Sequence, residues 1–240
     1  LARSDAAAPL LALDGVAAGY GKKRVLDNVS LTLARGEAIS LIGHNGAGKT
    51  TLLQTIFGLQ APWAGGVVID GKPLGARRAA SDTVALGLAM IPAERFVFPD
   101  LTVMENLLVG ARSLASALRR ERIEAALQDF PILRERGGQL AGTMSGGQQR
   151  MVSLAMALMT RPRLLLLDEP SLGLSPAITQ QIMSRVRALV DEGVSVVLVE
   201  QNIPAALTVA DGAVAIGVEI GLEVISSDVK LSGYAARSII

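Results

Sequence analysis

The run Gly43-His44-Asn45-Gly46-Ala47-Gly48-Lys49-Thr50 constrains this chain more than any other stretch. It satisfies the phosphate-loop pattern G-x-x-x-x-G-K-[ST] at every fixed position. Ala38-Ile39-Ser40-Leu41-Ile42 before it reads as a short buried strand. Thr50-Thr51-Leu52-Leu53-Gln54-Thr55-Ile56 after it reads as the start of a helix that ends near Gly58. Strand, glycine loop and helix N-terminus together make an anion site, because loop N–H groups converge and the helix end adds partial positive charge. Gly43, Gly46 and Gly48 let the backbone curl without side-chain clashes. Lys49 is expected to reach the β- and γ-phosphates of a nucleotide, and the Thr50 hydroxyl to ligate Mg²⁺. A flexible Gly/Asn turn would leave Lys-Thr at this offset behind a buried strand unexplained. The loop therefore predicts binding of a nucleoside triphosphate, and by itself not the purpose of binding.

Composition narrows the field. The chain has 240 residues, half of them hydrophobic, enough for one large domain or two small ones. A formal net charge of +1 provides no strong field toward nucleic acid or an anionic membrane. The absence of cysteine excludes disulfides, thiolate metal sites and a cysteine nucleophile. The single histidine, His44, lies inside the phosphate loop, which excludes a multi-histidine metal site or a Ser-His-Asp triad elsewhere. Aromatic content of 3% makes the core aliphatic. No apolar run reaches the ~18 residues of a membrane span, so any work at a membrane is expected to pass through a partner. Residues 1–13 offer only Arg3 as a positive flank, a poor signal peptide; Leu10-Leu11-Ala12-Leu13 reads instead as the first strand.

Taken in order, residues 10–33 alternate short apolar runs with turns at Asp14-Gly15, Gly19-Tyr20-Gly21 and Asp27-Asn28, which predicts an antiparallel sheet. Tyr20, the only aromatic before the loop, either stacks on a purine base or is a turn-flanking surface tyrosine. Lys22-Lys23-Arg24 reads as a solvated turn. Val67-Val68-Ile69-Asp70-Gly71 is a strand entering a turn, and the apolar run 85–91 ends at Pro92. After a polar-aromatic loop at 93–99, residues 101–107 open a helical region that continues to about Arg136. Residues 137–143 form a polar connector. Met144-Ser145-Gly146-Gly147-Gln148-Gln149-Arg150 follows, then an apolar helix over 151–160. Ser145 is read either as an ordinary N-cap or as part of a small-residue turn offering N–H groups to an anion. Met151, Met156 and Met159 read as core packing.

Leu164-Leu165-Leu166-Leu167-Asp168-Glu169 is an apolar strand ending in two carboxylates, the second half of a phosphate-loop site. Asp168 is expected to hold Mg²⁺ and Glu169 to polarise a water for attack on the γ-phosphate. Such charges beside four leucines are costly unless used or partnered. A helix over 178–190 and a second buried strand over 194–199 lead to Glu200-Gln201-Asn202, where a polar residue again faces the phosphates. Residues 213–224 read as strands with turns at Gly217 and Gly221. There is no internal repeat and no second phosphate loop, so the chain carries one nucleotide-binding half.

Together these motifs resemble the nucleotide-binding subunit of ABC transporters over roughly residues 10–217. Tyr20 falls at the family's base-stacking aromatic and residues 43–50 at Walker A. Ser145-Gly146-Gly147-Gln148 matches the signature, with Met144 where Leu is usual. Residues 164–169 match Walker B, and Ser171-Leu172-Gly173-Leu174-Ser175 the D-loop. The resemblance implies a single ABC ATP-binding domain over 1–240. Its fold is α/β, with a RecA-like P-loop NTPase core, an antiparallel β subdomain and an α-helical subdomain inserted at about 95–160. It implies ATP and Mg²⁺ as ligands, with Gly43, His44, Asn45, Gly46, Ala47, Gly48, Lys49, Thr50 and Thr51 around the phosphates. Two subunits would close head to tail around two ATP molecules, so that Ser145, Gly146, Gly147 and Gln148 meet the partner's nucleotide in place of a plain N-cap.

The resemblance further implies permease subunits in the membrane, docked near residues 96–107, a solute-binding protein acting indirectly, no nucleic acid, and a peripheral place on the cytoplasmic face of the membrane. Two departures stand out. Glu94 occupies the place of the family's Q-loop glutamine, beside the metal, and Gln201 the place of its switch histidine. A glutamine can hydrogen-bond a γ-phosphate but cannot carry a proton. Both replacements, with Phe98-Pro99-Asp100-Leu101-Thr102-Val103-Met104-Glu105-Asn106-Leu107 and Glu200-Gln201-Asn202, resemble the ATP-binding subunits of branched-chain amino acid uptake systems. That branch implies a heterodimer of two different ATPase subunits in preference to a homodimer. Importers of urea, short amides or other small solutes remain alternatives, as do a non-hydrolysing module, motivated by Gln201, and a soluble ABC protein. The tail after Gly217 departs from the branch's usual hairpin.

Overall fold

The computed structural model describes residues 8–75, 80–94, 96–217 and 221–224. An antiparallel sheet is formed by β1 (Leu11–Tyr20), β2 (Lys23–Leu33), β4 (Ala64–Ile69) and β5 (Lys72–Pro73), in the order β2-β1-β4-β5. A second sheet runs β10-β9-β3-β8-β7-β6, from β3 (Ala38–Ile42), β6 (Leu88–Ile91), β7 (Leu164–Asp168), β8 (Ser195–Glu200), β9 (Gly212–Gly217) and β10 (Gly221–Val224). Five of its strands are parallel and β10 pairs antiparallel with β9.

The unbroken apolar runs of β3, β7 and β8 follow from burial on both faces. Alternate residues go to two cores. Ile39, Leu41, Leu164, Leu166, Val197 and Val199 pack with the antiparallel sheet and with α1 (Lys49–Phe57). Ile42, Leu165, Leu167, Val196 and Leu198 pack in a second core, which also holds residues of the helices that follow. These are α3 (Val103–Gly110), α4 (Ser116–Asp129), α5 (Pro131–Glu135), α6 (Gly146–Leu158) and α7 (Pro176–Asp191); α2 (Ala80–Ala85) and α8 (Ile203–Leu207) complete the set. Met151 and Met159 are buried there, and Met156 packs against them.

The strand order places the site. β8 lies between β3 and β7, so the carboxyl ends of three adjacent parallel strands open side by side. Ligands bind at such ends. Some boundaries differ from expectation. Asp14-Gly15 and Asp27-Asn28, predicted as turns, lie inside β1 and β2, where the pairing register shifts instead. The helix predicted from Met151 begins at Gly146, because Ser145 and Gln148 form a reciprocal capping box that draws both glycines into the first turn. Gly217 and Gly221, predicted as turns, are paired partners in β9 and β10. The strands expected over 213–224 are thus present as an antiparallel pair; residues 218–220 and 225–240 lie outside the described residues.

Candidate functional site

The phosphate loop leaves β3 and enters α1 through Gly48, which has φ 94° and no side-chain cap. An added Cβ there would approach Leu26 Cδ2 to 2.9 Å, so only glycine joins this strand to this helix without strain. The first N–H groups of α1 have no side-chain acceptor of their own and remain available to an anion. Lys49 is buried and folds back over the loop. Its Nζ donates to the carbonyls of Gly43 (2.5 Å) and His44 (3.0 Å) and lies 4.0 Å from Glu169 Oε1. His44 is exposed, its Nδ1 2.8 Å from the Asn45 carbonyl.

Glu169 follows β7 in the left-handed region, at φ 46°, a conformation uncommon outside glycine. It is held there by its N–H, which donates to Val199 O at 2.9 Å, and by Gln201. The Gln201 Nε2 donates to Glu169 Oε1 (2.6 Å) and to Asn45 Oδ1 (2.7 Å). One amide thus ties the ends of β7 and β8 to the phosphate loop.

Asp168 is 2% exposed, and its Oδ1 has no hydrogen-bond partner. Burial raises its carboxyl above the ordinary value. The neighbouring Thr50 hydroxyl opposes that, Glu169 adds to it, and Lys49 and Arg150 pull it down. An orphaned buried carboxylate oxygen beside a threonine hydroxyl is an oxygen donor set that fits Mg²⁺, which takes one or two carboxylates and completes its shell with water and phosphate. Among the described residues no group of three or more His, Asp or Glu gathers elsewhere to compete for a cation.

Tyr20 ends β1 with its ring half exposed above α1. Its hydroxyl donates to Gln54 Oε1 at 2.7 Å and lies 3.5 Å from Thr51 Oγ1. Glu94 is exposed on the connector after β6, and no hydrogen bond or ion pair among the described residues ties it to Thr50 or Asp168. Ser145, Gly146, Gly147 and Gln148 form the N-terminus of α6. There Ser145 Oγ accepts from the Gln148 N–H (3.3 Å) and Gln148 Oε1 from the Ser145 N–H (3.1 Å). Among the described residues, no hydrogen bond joins them to the phosphate loop.

Two connections escaped the sequence reading. Arg150, the one charged residue of α6, is buried, and its Nη1 and Nη2 donate to Pro92 O (2.9 Å) and Ala93 O (3.0 Å). Its position on a helix face shared with Met151 and Leu154 was the available signal. Glu200, next to Gln201, ends β8 buried. It accepts from the Ser171 N–H (2.9 Å) and Ser171 Oγ (2.8 Å).

Fold and site define a phosphate-loop nucleotide-binding protein. A sequence profile described as ABC transporter matches residues 26–172, and the chain belongs to that family, as one of its ATP-binding cassettes. It is 45% identical over 204 residues to the high-affinity branched-chain amino acid transport ATP-binding protein BraG of Pseudomonas aeruginosa, covering 85% of this chain and 87% of that one. It is 38% identical over 197 residues to the probable branched-chain amino acid transport ATP-binding protein LivF of Archaeoglobus fulgidus, covering 82% and 83%. A nucleotide-free ATP-binding cassette from an ABC transporter superposes with a TM-score of 0.82 at 24% identity, covering 92% and 93% of the two chains, a likeness of fold.

Proposed function

We propose that this chain is the ATP-hydrolysing subunit of an importer for branched-chain or other hydrophobic amino acids. Residues 1–240 act as one ATP-binding domain, with a helical insertion at about 95–160. It pairs head to tail with a second, different ATPase subunit against permease subunits. A solute-binding protein acts indirectly, from the other side of the membrane. This chain sits peripherally on the inner face. Among the described residues no helix is long and apolar enough to cross a membrane. The amino-acid assignment is supported by the names of the relatives and by Gln201 and Glu94, the two departures shared with that branch.

The observation that carries hydrolysis is the Lys49, Glu169, Gln201, Asn45 cluster at three adjoining strand ends. Loop N–H groups of residues 43–51 and the Lys49 ammonium bind the β- and γ-phosphates of ATP, and Tyr20 stacks on the base. Thr50 and Asp168, with Glu94, would hold Mg²⁺, which would supply neutralisation of charge on the phosphates. Glu169 accepts a proton from the attacking water as the new oxygen–phosphorus bond forms. The bond from the γ-phosphorus to the β–γ bridging oxygen breaks, and ADP and phosphate leave. Gln201, whose amide neither takes up nor releases a proton, holds the carboxylate in line through its N–H. Ser145, Gly147 and Gln148 complete the partner's site.

The test is ATP hydrolysis by the purified chain, alone and with a second ATPase subunit, against protein concentration. The rate per subunit should rise with concentration. Glu169→Gln should cut turnover by about 10²–10⁴-fold while leaving ATP bound. Turnover that survives Glu169→Gln contradicts the assignment of the base.

A further inference from the structure

Arg150 is 3% exposed, and both of its side-chain hydrogen bonds and its ring contact lie on one short piece of chain. Nη1 and Nη2 donate to the consecutive carbonyls of Pro92 and Ala93, and the guanidinium carbon lies 3.8 Å from the Phe96 ring centroid. That piece joins β6 to the helical region and carries Glu94. Its far end is fixed as well. The fully buried Asn106 of α3 accepts from the Phe98 N–H (2.8 Å) and donates to the Phe98 carbonyl (3.0 Å). On its own element, Arg150 stands two residues after Gln148 in the first turns of α6. The carboxylates of Glu200 and Asp168 are the charges that favour its cation, against burial, which lowers it to about 10.

We propose that Arg150 is a positioning residue that locks the 92–98 connector to the N-terminus of α6, so that Glu94 and the signature residues Ser145–Gln148 move as one piece. The lock rests on the roles given above to Glu94 and the signature. A planar fork suits two consecutive carbonyls and a stacked ring; an ammonium offers one point of charge and meets neither demand fully. Each nucleotide-sensing event on the connector would therefore shift the groups that meet the partner's nucleotide.

Arg150→Lys keeps the charge and tests the fork. It should lower kcat about tenfold, and in a Glu169→Gln background it should raise about tenfold the protein concentration at which ATP drives pairing. The Kd for ATP should stay within about twofold, a split that general destabilisation would not give. Wild-type kcat and pairing in folded Arg150→Lys, or an equal loss of ATP affinity, would overturn the lock. If Arg150→Lys fails to fold, Phe96→Leu keeps both hydrogen bonds and should lower kcat about threefold; no change overturns the proposal. Hydrogen exchange reads the lock without turnover. The amide of Phe98, which donates to Asn106, should exchange about tenfold faster in either variant, with those of β7 unchanged, and an equal rate refutes it. Absence of turnover and of ATP-driven pairing in the wild type would count against the proposed function instead.

Discussion

Two helix N-termini in this chain answer to the same physics and are finished in opposite ways. α1 begins at Gly48, left-handed and without a side-chain cap, so its first N–H groups lack an internal acceptor. α6 begins at Ser145, where a capping box with Gln148 satisfies the helix end from within. Glycines stand at both ends, Gly48 before α1 and Gly146-Gly147 in the first turn of α6, and both helices have an apolar face. The difference is in what an anion must displace. At α1 it competes for the Lys49 ammonium, which rests on two carbonyls of its own loop. At α6 it must replace hydrogen bonds already made. The chain thus has one helix N-terminus left open and one closed on itself, the arrangement that the proposed function asks of a subunit that binds its own nucleotide first and its partner's afterwards.

The largest break in that comparison is Lys49→Ala. The change leaves α1 uncapped but removes the ammonium that lies 4.0 Å from Glu169. Hydrogen bonds to a charged group are worth about 1.5–3 kcal/mol, so the Kd for ATP should rise by about 10–10²-fold. Fluorescent-nucleotide titration measures it. Unchanged affinity would mean that the open end of α1 is not the phosphate site.

The open end was legible in the sequence because its parts are contiguous. Gly43 to Thr50, the flanking strand and the helix sit in one run, and Asp168-Glu169 is marked by four leucines. The closed end was legible only as a choice between two readings of Ser145, and the structure shows the cap made within the chain. Neither of the long-range ties was legible. Gln201 to Asn45 spans 156 positions and Arg150 to Pro92 spans 58. A single sequence carries no signal for such pairs beyond a polar residue on a buried element, as at Arg150. Boundaries erred where side-chain capping overrode propensity, at Gly146-Gly147.

A smaller effect sharpens the closed end. Ser145→Ala removes the acceptor of the Gln148 N–H and should cost about 1 kcal/mol of stability, read by urea denaturation. ATP affinity at the chain's own loop should not change, while the concentration at which ATP drives pairing in a Glu169→Gln background should rise several-fold. Lost ATP affinity in Ser145→Ala would show that the two helix ends are not independent within one subunit.

The smallest expected effect concerns the tether between the two halves. Glu200 lies at the end of β8, next to Gln201 of the open site, and its oxygens hold Ser171, the first residue of the loop that resembles the D-loop. Burial raises the Glu200 carboxyl above its ordinary value, and the hydrogen bonds from Ser171 and Asn202 oppose this without prevailing. A carboxyl raised in the folded state binds its proton more tightly there than in the unfolded chain. Its contribution to stability is therefore fully present below the unfolded value and is lost as pH rises through the folded one. Glu200→Gln should remove this part of the slope. Near pH 7 the variant should stay within about 1 kcal/mol of wild type, because relief of a buried charge offsets a weakened bond to Ser171. Urea midpoints between about pH 4 and pH 7 test this. Identical slopes in the two proteins would show that Glu200 is tied to Ser171 in the unfolded-like reference as well, or that its proton is not held by the fold. In either case the D-loop would have to be coupled to the open site by some route other than this carboxylate.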